Sequence, residues 1–422
     1  MLRPALLAAA FAAASPAHAD PELDALRVDL EKTRADYEAR LAALEARDAD
    51  APARSFNPDI SLILQGRYAH RDDLGHRELS GFLPAGHGHE TARGFSLDHT
   101  ELVMSASVDP YFNGYFNVAL ADEEVEVEEA WVQTSSLGHG VAIKAGRFLS
   151  ALGYQNGLHP HAWDFADSAL MYRALFGDAW RDDGVQVKWV APTALFVELG
   201  GEAGRGAGFP ARDRNANGVG AYTLFGHLGG DVGASHSWRA GLSHLRARPD
   251  ARAAELEDAA ELPVDTLFSG TSKTWIADFA WKWAPDGNAQ ARHAKIVAEV
   301  FRRDENGVLC EDLGTDCDSA DSYRSRQSGY YVQGVYQFVP RWRAGYRYDR
   351  LDPGTVVGAN AALLPETGHR PVRHTLMVDY SPSEFSRLRV QAANDESIAG
   401  VSEKQWTVQY IHSLGAHGAH RF

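Results

Sequence analysis

Beyond residue 20 the chain has no apolar run approaching the roughly 18 residues that a membrane-spanning helix needs. A helical membrane protein is thereby excluded. Bases are outnumbered, 41 against 57 acids for a net charge of −16. That balance argues against nucleic acid, a polyanion bound through clustered lysine and arginine. There is no G-x-S-x-G, no H-E-x-x-H and no phosphate-cradling glycine loop. An enzyme is not expected, nor a cofactor. Cysteine is scarce: Cys310 and Cys317 are the only two, close together in a polar, acidic segment. In an exported protein such a pair closes a small loop disulfide in preference to a thiolate metal site.

Export is written at the start. Arg3, the apolar stretch Ala5 to Ala14 and the small-x-small Ala17-His18-Ala19 read as a signal peptide over residues 1–19. A chain that is exported without a spanning helix is a soluble protein or a closed barrel. Only helices and closed barrels satisfy their backbone within lipid.

Leu23, Leu26, Leu30, Thr33, Tyr37, Arg40 and Leu44 alternate at three- and four-residue spacing among charges. This heptad pattern predicts a periplasmic coiled-coil helix over 20–47 that pairs with its own copies. The other reading is one amphipathic helix against the barrel or the cell wall, with peptidoglycan as its partner. Residues 48–59, with two prolines, read as a linker.

From Ile60 to the C-terminus the periodicity is two, giving a barrel over 60–422. Eight strands are expected to start near Ile60, Phe95, Tyr111, Val125, Gly140, Asp182, Ala194 and Gly218. Eight more start near Ser235, Lys273, Ala291, Ser328, Arg341, Arg373, Ser386 and Lys404. Tight turns such as Asp109-Pro110 and Val339-Pro340 alternate with long segments such as 249–272, 304–327 and 353–372. Short turns on one side and long loops on the other mark a transmembrane β-barrel. Trp275, Ala277, Phe279, Trp281 and Trp283 alternate with Ile276, Asp278, Ala280 and Lys282. The apolar set must face lipid, the charged set water, with aromatics at the strand ends forming two interfacial girdles. The expected fold class is therefore all-β: a 16-stranded antiparallel transmembrane barrel with a short N-terminal coiled-coil helix.

The segment 152–183 is long and rich in aromatics, with Tyr154, Trp163, Phe165, Tyr172 and Phe176. Water-exposed loops need few aromatics, so it is expected to fold into the barrel. Its polar residues His159, His161, Asp164, Asp167 and Arg173 would then shape a constriction. The basic pore-lining candidates are Arg67, Lys188, Lys282, Lys295, Arg343, Arg347, Arg387 and Arg389. The acidic ones include Glu101, Asp278, Glu299 and Asp349. Walls carrying both signs would set up a transverse field across the lumen. His87 and His89, in the first long loop, are metal-ligand candidates, since neutral imidazole binds zinc, copper or nickel.

Strand count, the long segment after the fifth strand and the heptads together resemble the phosphate-selective porin superfamily. More closely, the chain resembles a family of proteobacterial outer-membrane proteins whose members often carry the labels zinc-regulated or TonB-dependent receptor. The residues that carry this are Phe56-Asn57-Pro58-Asp59-Ile60-Ser61, Glu128-Glu129-Ala130, Lys144-Ala145-Gly146-Arg147-Phe148, His159-Pro160-His161-Ala162-Trp163-Asp164-Phe165, Arg341-Trp342-Arg343 and Gly415-Ala416-His417-Gly418-Ala419-His420.

The expectation is a porin-like channel in the cell outer membrane, passing small hydrophilic solutes or ions. Its partners would be outer-membrane lipid and two further copies in a homotrimer. The alternatives are a receptor or uptake protein for a metal ion such as zinc, and a structural tether between outer membrane and cell wall.

Overall fold

A computed structural model describes residues 58–74, 79–84, 92–121, 124–211, 216–257, 262–311, 321–358, 364 and 368–415. The signal peptide, the coiled-coil helix, the linker to residue 57, His87, His89 and Cys317 lie outside the described residues. Cys310 is disulfide-bonded.

Every sheet pairing is antiparallel, and the sheet closes on itself. The first barrel strand, β1 (Asp59–His70), pairs with the last, β16 (Glu403–Gly415), from Ser61↔Gly415 to His70↔Trp406. Between them run β2 (in two segments, Gly94–Leu97 and Thr100–Asp109), β3 (Phe112–Ala121), β4 (Glu124–Thr134), β5 (Val141–Leu149), β6 (Arg181–Val190), β7 (Phe196–Gly204) and β8 (Ala221–Val232). The second half comprises β9 (His236–Ala247), β10 (Pro263–Trp283), β11 (His293–Glu311), β12 (Asp321–Val339), β13 (Trp342–Asp352), β14 (Val372–Ser383) and β15 (Ser386–Glu396). The fold is thus a closed antiparallel barrel of 16 strands. Each strand bonds to its sequence neighbours, so no edge is left open to pair with another chain. Short strands Arg252–Glu257 and Val356–Val357 pair onto the outer parts of β10 and β12.

Sidedness follows the alternation. Leu376, Trp406 and Trp275 are 60, 56 and 48% exposed on the outer face. Their sequence neighbours Met377, Gln405 and Ile276 are buried within. Tyr111, Phe196, Phe338, Trp342 and Phe385 form one exposed aromatic ring beside the short turns. Tyr68, Phe95, Tyr222, Trp275, Tyr330 and Trp406 form the other. Two such girdles bracketing an apolar band are what amphipathic rings do at a lipid interface.

The strands differ from expectation at one place. β10 begins at Pro263 rather than Lys273, β12 at Asp321 rather than Ser328, and β11 runs on to Glu311 through residues read as loop. The physical reason lies in the outer face. Trp275 of the girdle pairs directly with Arg302, and from that level onward Arg302, Asp304 and Arg326 form outward ion pairs. Above lipid the outer face has no need of apolar residues, so the alternation fades while the backbone ladder continues. The inner side of this projection has its own core of Phe268, Leu309, Tyr323, Leu256, Leu83 and Leu364.

Candidate constriction site

The segment between β5 and β6 lies inside the barrel. It carries a short helix α1 (Leu170–Phe176), closed by Gly177 in the left-handed conformation at φ 61°. Of the aromatic residues that predicted an inward fold, Trp163, Phe165, Tyr172 and Phe176 are buried, Phe165 at 1% exposed and Tyr172 at 0%, and Tyr154 is half-buried; Trp180 joins them at 1%. Leu170, Met171, Tyr172, Leu175 and Phe176 pack against Ile276, Val297, Phe301, Tyr331 and Leu351 of the wall. Asn156 ties the base of the segment. Its Nδ2 donates to the carbonyls of Ser150 and Trp180, both at 2.8 Å, and its Oδ1 accepts from Trp180 N at 2.6 Å.

Glu299 on β11 is the central clamp. Its carboxylate accepts from the backbone N–H of Tyr154 (2.9 Å) and Gln155 (3.0 Å), and from the hydroxyls of Tyr172 (2.9 Å) and Tyr331 (2.5 Å). Replacing it by alanine leaves four buried donors unmet, each worth about 1–3 kcal/mol. Glu299→Ala is therefore expected to free the segment, seen as new protease cleavage between residues 152 and 183 in an otherwise intact barrel. Resistance equal to wild type would contradict the clamp.

Further along, the segment is bipolar. Asp164 meets Lys295 at 2.6 Å and Arg343 at 3.3 Å. Asp167 meets Arg347 and Arg373, each at 2.6 Å. Burial alone would raise the Asp167 carboxyl, but the charges of Arg373 and Arg347 outweigh it and hold the group well below the usual carboxylate range. Asp164 is held low in the same way, against burial, by Lys295 and Arg343. Arg389 donates to the carbonyl of Trp163 at 2.7 Å, and Arg347 stacks over the ring of Phe165.

The two histidines face a wall of the opposite sign. His161 Nδ1 lies 2.6 Å from Glu101. His159 lies 3.2 Å from Glu128 through Nδ1 and 3.3 Å from Glu129 through Nε2. Burial disfavours the charged imidazole of His159, yet its hydrogen bonds with Glu128 and Glu129 prevail and hold its pKa well above the ordinary value. Loop acids thus sit on the basic wall of β11, β13 and β14, and loop histidines on the acidic wall of β2 and β4.

Two bulges build the acidic wall. In β4, Asn117 pairs with Glu129 and Val118 with Val127, so Glu128 is the extra residue. Glu128 and Glu129, though consecutive, are both buried inside. In β2, Gly66 pairs with Leu97 and Ile63 with Glu101, so three residues oppose two at Asp98-His99. A bulge is the means by which a strand re-aims a side chain. His99 thereby reaches Glu128, its Nε2 2.9 Å from the carboxylate. Among the described residues, the group whose ligand atoms lie close enough to hold a metal ion is here, His99, Glu101 and Glu128.

The other expected lining residues are placed as follows. Arg67 pairs with Asp98 at 3.0 Å and reaches the Ala166 carbonyl. Lys188 lies 3.5 Å from Glu198, and Asp278 lies 3.7 Å from Arg239. Asp349 pairs with Arg347 and accepts from Leu170 N. Arg387 lies 4.0 Å from Asp379. Lys282 is half-buried near the short-turn end of β10. Arg173 stands apart from the constriction contacts, lining a small cleft with Arg71, Asp395 and Glu403. Sequence reasoning missed His99, Glu128, Glu129 and Arg373 as inward groups. The signal for the glutamates was available, because two adjacent acids break the alternation set by Val125 and Val127.

The barrel and its inward segment define the class, a porin-type barrel of the kind found in outer-membrane proteins. No family model matches the chain. It is 30% identical over 395 residues to an uncharacterized protein of Aquifex aeolicus (strain VF5), across 87% of this chain and 81% of that one, and it belongs to that protein's family. Among solved structures it is similar to the outer membrane channel DcaP of Acinetobacter baumannii, with TM-score 0.52 and 11% identity over 86% of this chain and 99% of that one. It is also similar to a loop L8 deletion mutant of OmpT, an outer membrane protein of Vibrio cholerae (0.51, 13%, 85% and 99%), and to Pseudomonas putida OprB (0.51, 11%, 85% and 94%). At such identity these likenesses concern the fold alone.

Proposed function

We propose that the protein is an outer-membrane, porin-like channel for passive diffusion of small hydrophilic solutes or ions, with segment 152–183 as its constriction. The observation that carries this reading is the inverted barrel: a belt of exposed apolar and aromatic side chains outside, charged and amide side chains buried inside. In water such a surface would drive aggregation; in a bilayer it is the only face lipid accepts. The likeness of fold to outer-membrane barrels supports the same placement. We propose the assembly to be a homotrimer, in keeping with that architecture and measurable as the mass of the detergent-solubilised protein.

The groups around the inward segment set the expected selectivity. Arg67, Lys295, Arg343 and Arg387 keep 13–15% of their side chains accessible, against 14% for Asp98 and 22% for Asp167. Solute therefore meets both signs, four accessible bases against these two acids, and a mild anion preference is expected despite the acidic chain. The purified protein in planar bilayers is expected to show stepwise conductance with a reversal potential on the anion side. Arg387→Glu is expected to move that potential toward cations. A silent bilayer removes the channel reading; a potential unmoved by Arg387→Glu removes the assigned constriction. The receptor alternative rests on His87 and His89, outside the described residues, and the tether alternative on the N-terminal helix, also outside them.

A further inference from the structure

We propose that His99, Glu101 and Glu128, joined by His159 of the inward segment, form a binding site for one divalent transition cation of borderline character. This goes beyond the channel reading and does not require it.

Three observations carry the site. The first is spacing. His99, Glu101 and Glu128 each offer a ligand atom within 4.8 Å of the others, and His159 Nδ1 lies 3.2 Å from Glu128 Oε2 and 3.7 Å from Glu101 Oε2. Ligand atoms about 2.0–2.2 Å from a tetrahedral ion stand roughly 3.4 Å from one another, so the 3.2 and 3.7 Å gaps match a coordination shell and an ion would draw the wider ones inward.

The second is unmet bonding. His99 Nε2 is buried 2.9 Å from Glu128 Oε1 without a well-aligned hydrogen bond to it. Two atoms that ligate one ion share no proton and take this relation. Asn117, 0% exposed, sends its Nδ2 to Glu101 and Glu128 while its Oδ1 has no partner. Its amide already orients both carboxylates, the role of an outer-shell residue at a metal site.

The third is charge. Glu101, Glu128 and Glu129 are all buried, and Glu101 touches only imidazoles and the Asn117 amide among its described contacts. Arg181 reaches Glu128, at 3.2 Å. Buried carboxylates need partner charge; His159 and Arg181 supply part of it for three carboxylates, and a divalent cation, displacing the His159 proton, would supply more. Mixed imidazole and carboxylate ligands select zinc, cobalt or nickel over calcium or magnesium. Because His159 belongs to the inward segment and the other ligands to the wall, the ion would also fasten that segment.

The test uses the full-length protein in detergent, stripped with chelator and titrated with Co²⁺, followed by visible absorption and by competition with Zn²⁺. One Co²⁺ per chain with intense visible bands, displaced by Zn²⁺, is expected. Glu128→Gln and, separately, His99→Ala should weaken binding by more than about 100-fold, the upper end for losing only an outer-shell partner. The double variant His87→Ala with His89→Ala should bind as wild type does. Heat-modifiable mobility on gels checks that each barrel is folded, and His99→Ala, at the edge of the cluster, carries the test if Glu128→Gln fails to fold. No stoichiometric binding by the folded wild type overturns the proposal. So does binding that survives His99→Ala, and so does binding lost with His87 and His89.

Discussion

Excising residues 155–176 and bridging the gap with a flexible glycine-serine linker is expected to raise unitary conductance several-fold. The barrel should still fold. The wall is self-sufficient in backbone terms, each strand being paired on both sides and closed through β1 and β16. What the excised segment contributes is the filling. With it in place the inward side chains of Glu101, Glu299, Arg347, Arg373 and Arg389 are almost wholly buried. Without it they would be hydrated, and water-filled cross-section is what conducts. The same excision removes Asp164 and Asp167, leaving Lys295, Arg343, Arg347 and Arg373 without their loop partners. It also strips His159 and His161 from Glu128, Glu129 and Glu101, so both walls are bared and the readout is conductance rather than ion preference. Conductance unchanged by the excision would mean that solute passes elsewhere, and the constriction would have to be abandoned.

The second large effect concerns the outer face. Leu376, 60% exposed on β14, pairs with Tyr346 and Ala392, a level above the girdle residue Trp342 of the neighbouring strand, which pairs with Tyr380. Leu376→Arg puts a charge into the apolar band and is expected to cost about 2–4 kcal/mol of stability in a bilayer. Val308 also faces outward, 39% exposed, but it lies on β11 beyond the charged Arg302 and Asp304. Val308→Arg there should cost close to nothing, because that level is in water. Denaturant titration of both variants folded into vesicles measures the difference. Equal costs would show that the band and the projection share one solvent.

How much of this was legible depends on the range over which the physics acts. Strand identity and sidedness are local: Trp275, Ala277 and Phe279 against Ile276, Asp278 and Ala280 declare both a period and a polarity. The inward fold of segment 152–183 was legible because Trp163, Phe165 and Tyr172 would be costly in water. The upper reaches of β10, β11 and β12 were not, since hydrogen-bonded strand above lipid needs no alternation and Ser269, Thr271 and Arg324 read as loop. Individual inward bases such as Arg343 and Arg347 could be named, but not their partners Asp164 and Asp167, which meet them only when the chain closes. The cluster at His99 and Glu128 was hidden most deeply. It joins β2, β3, β4 and the inward segment, and both bulges that form it displace residues from the faces that strict alternation assigns.

The central claim is an apolar wall turned toward lipid, and tryptophan fluorescence in vesicles of brominated lipid tests it most directly. Trp189, Trp275, Trp342 and Trp406 are exposed on that wall, whereas Trp163 and Trp180 are buried within the barrel. Most of the wild-type emission should be quenched, the quenching should weaken when those four outward residues are replaced by phenylalanine, with Trp281 and Trp283 of the lipid-facing set still quenched, and the emission that resists quenching should come chiefly from the inner pair. Emission indifferent to bromine in the folded, vesicle-bound protein would contradict the account outright.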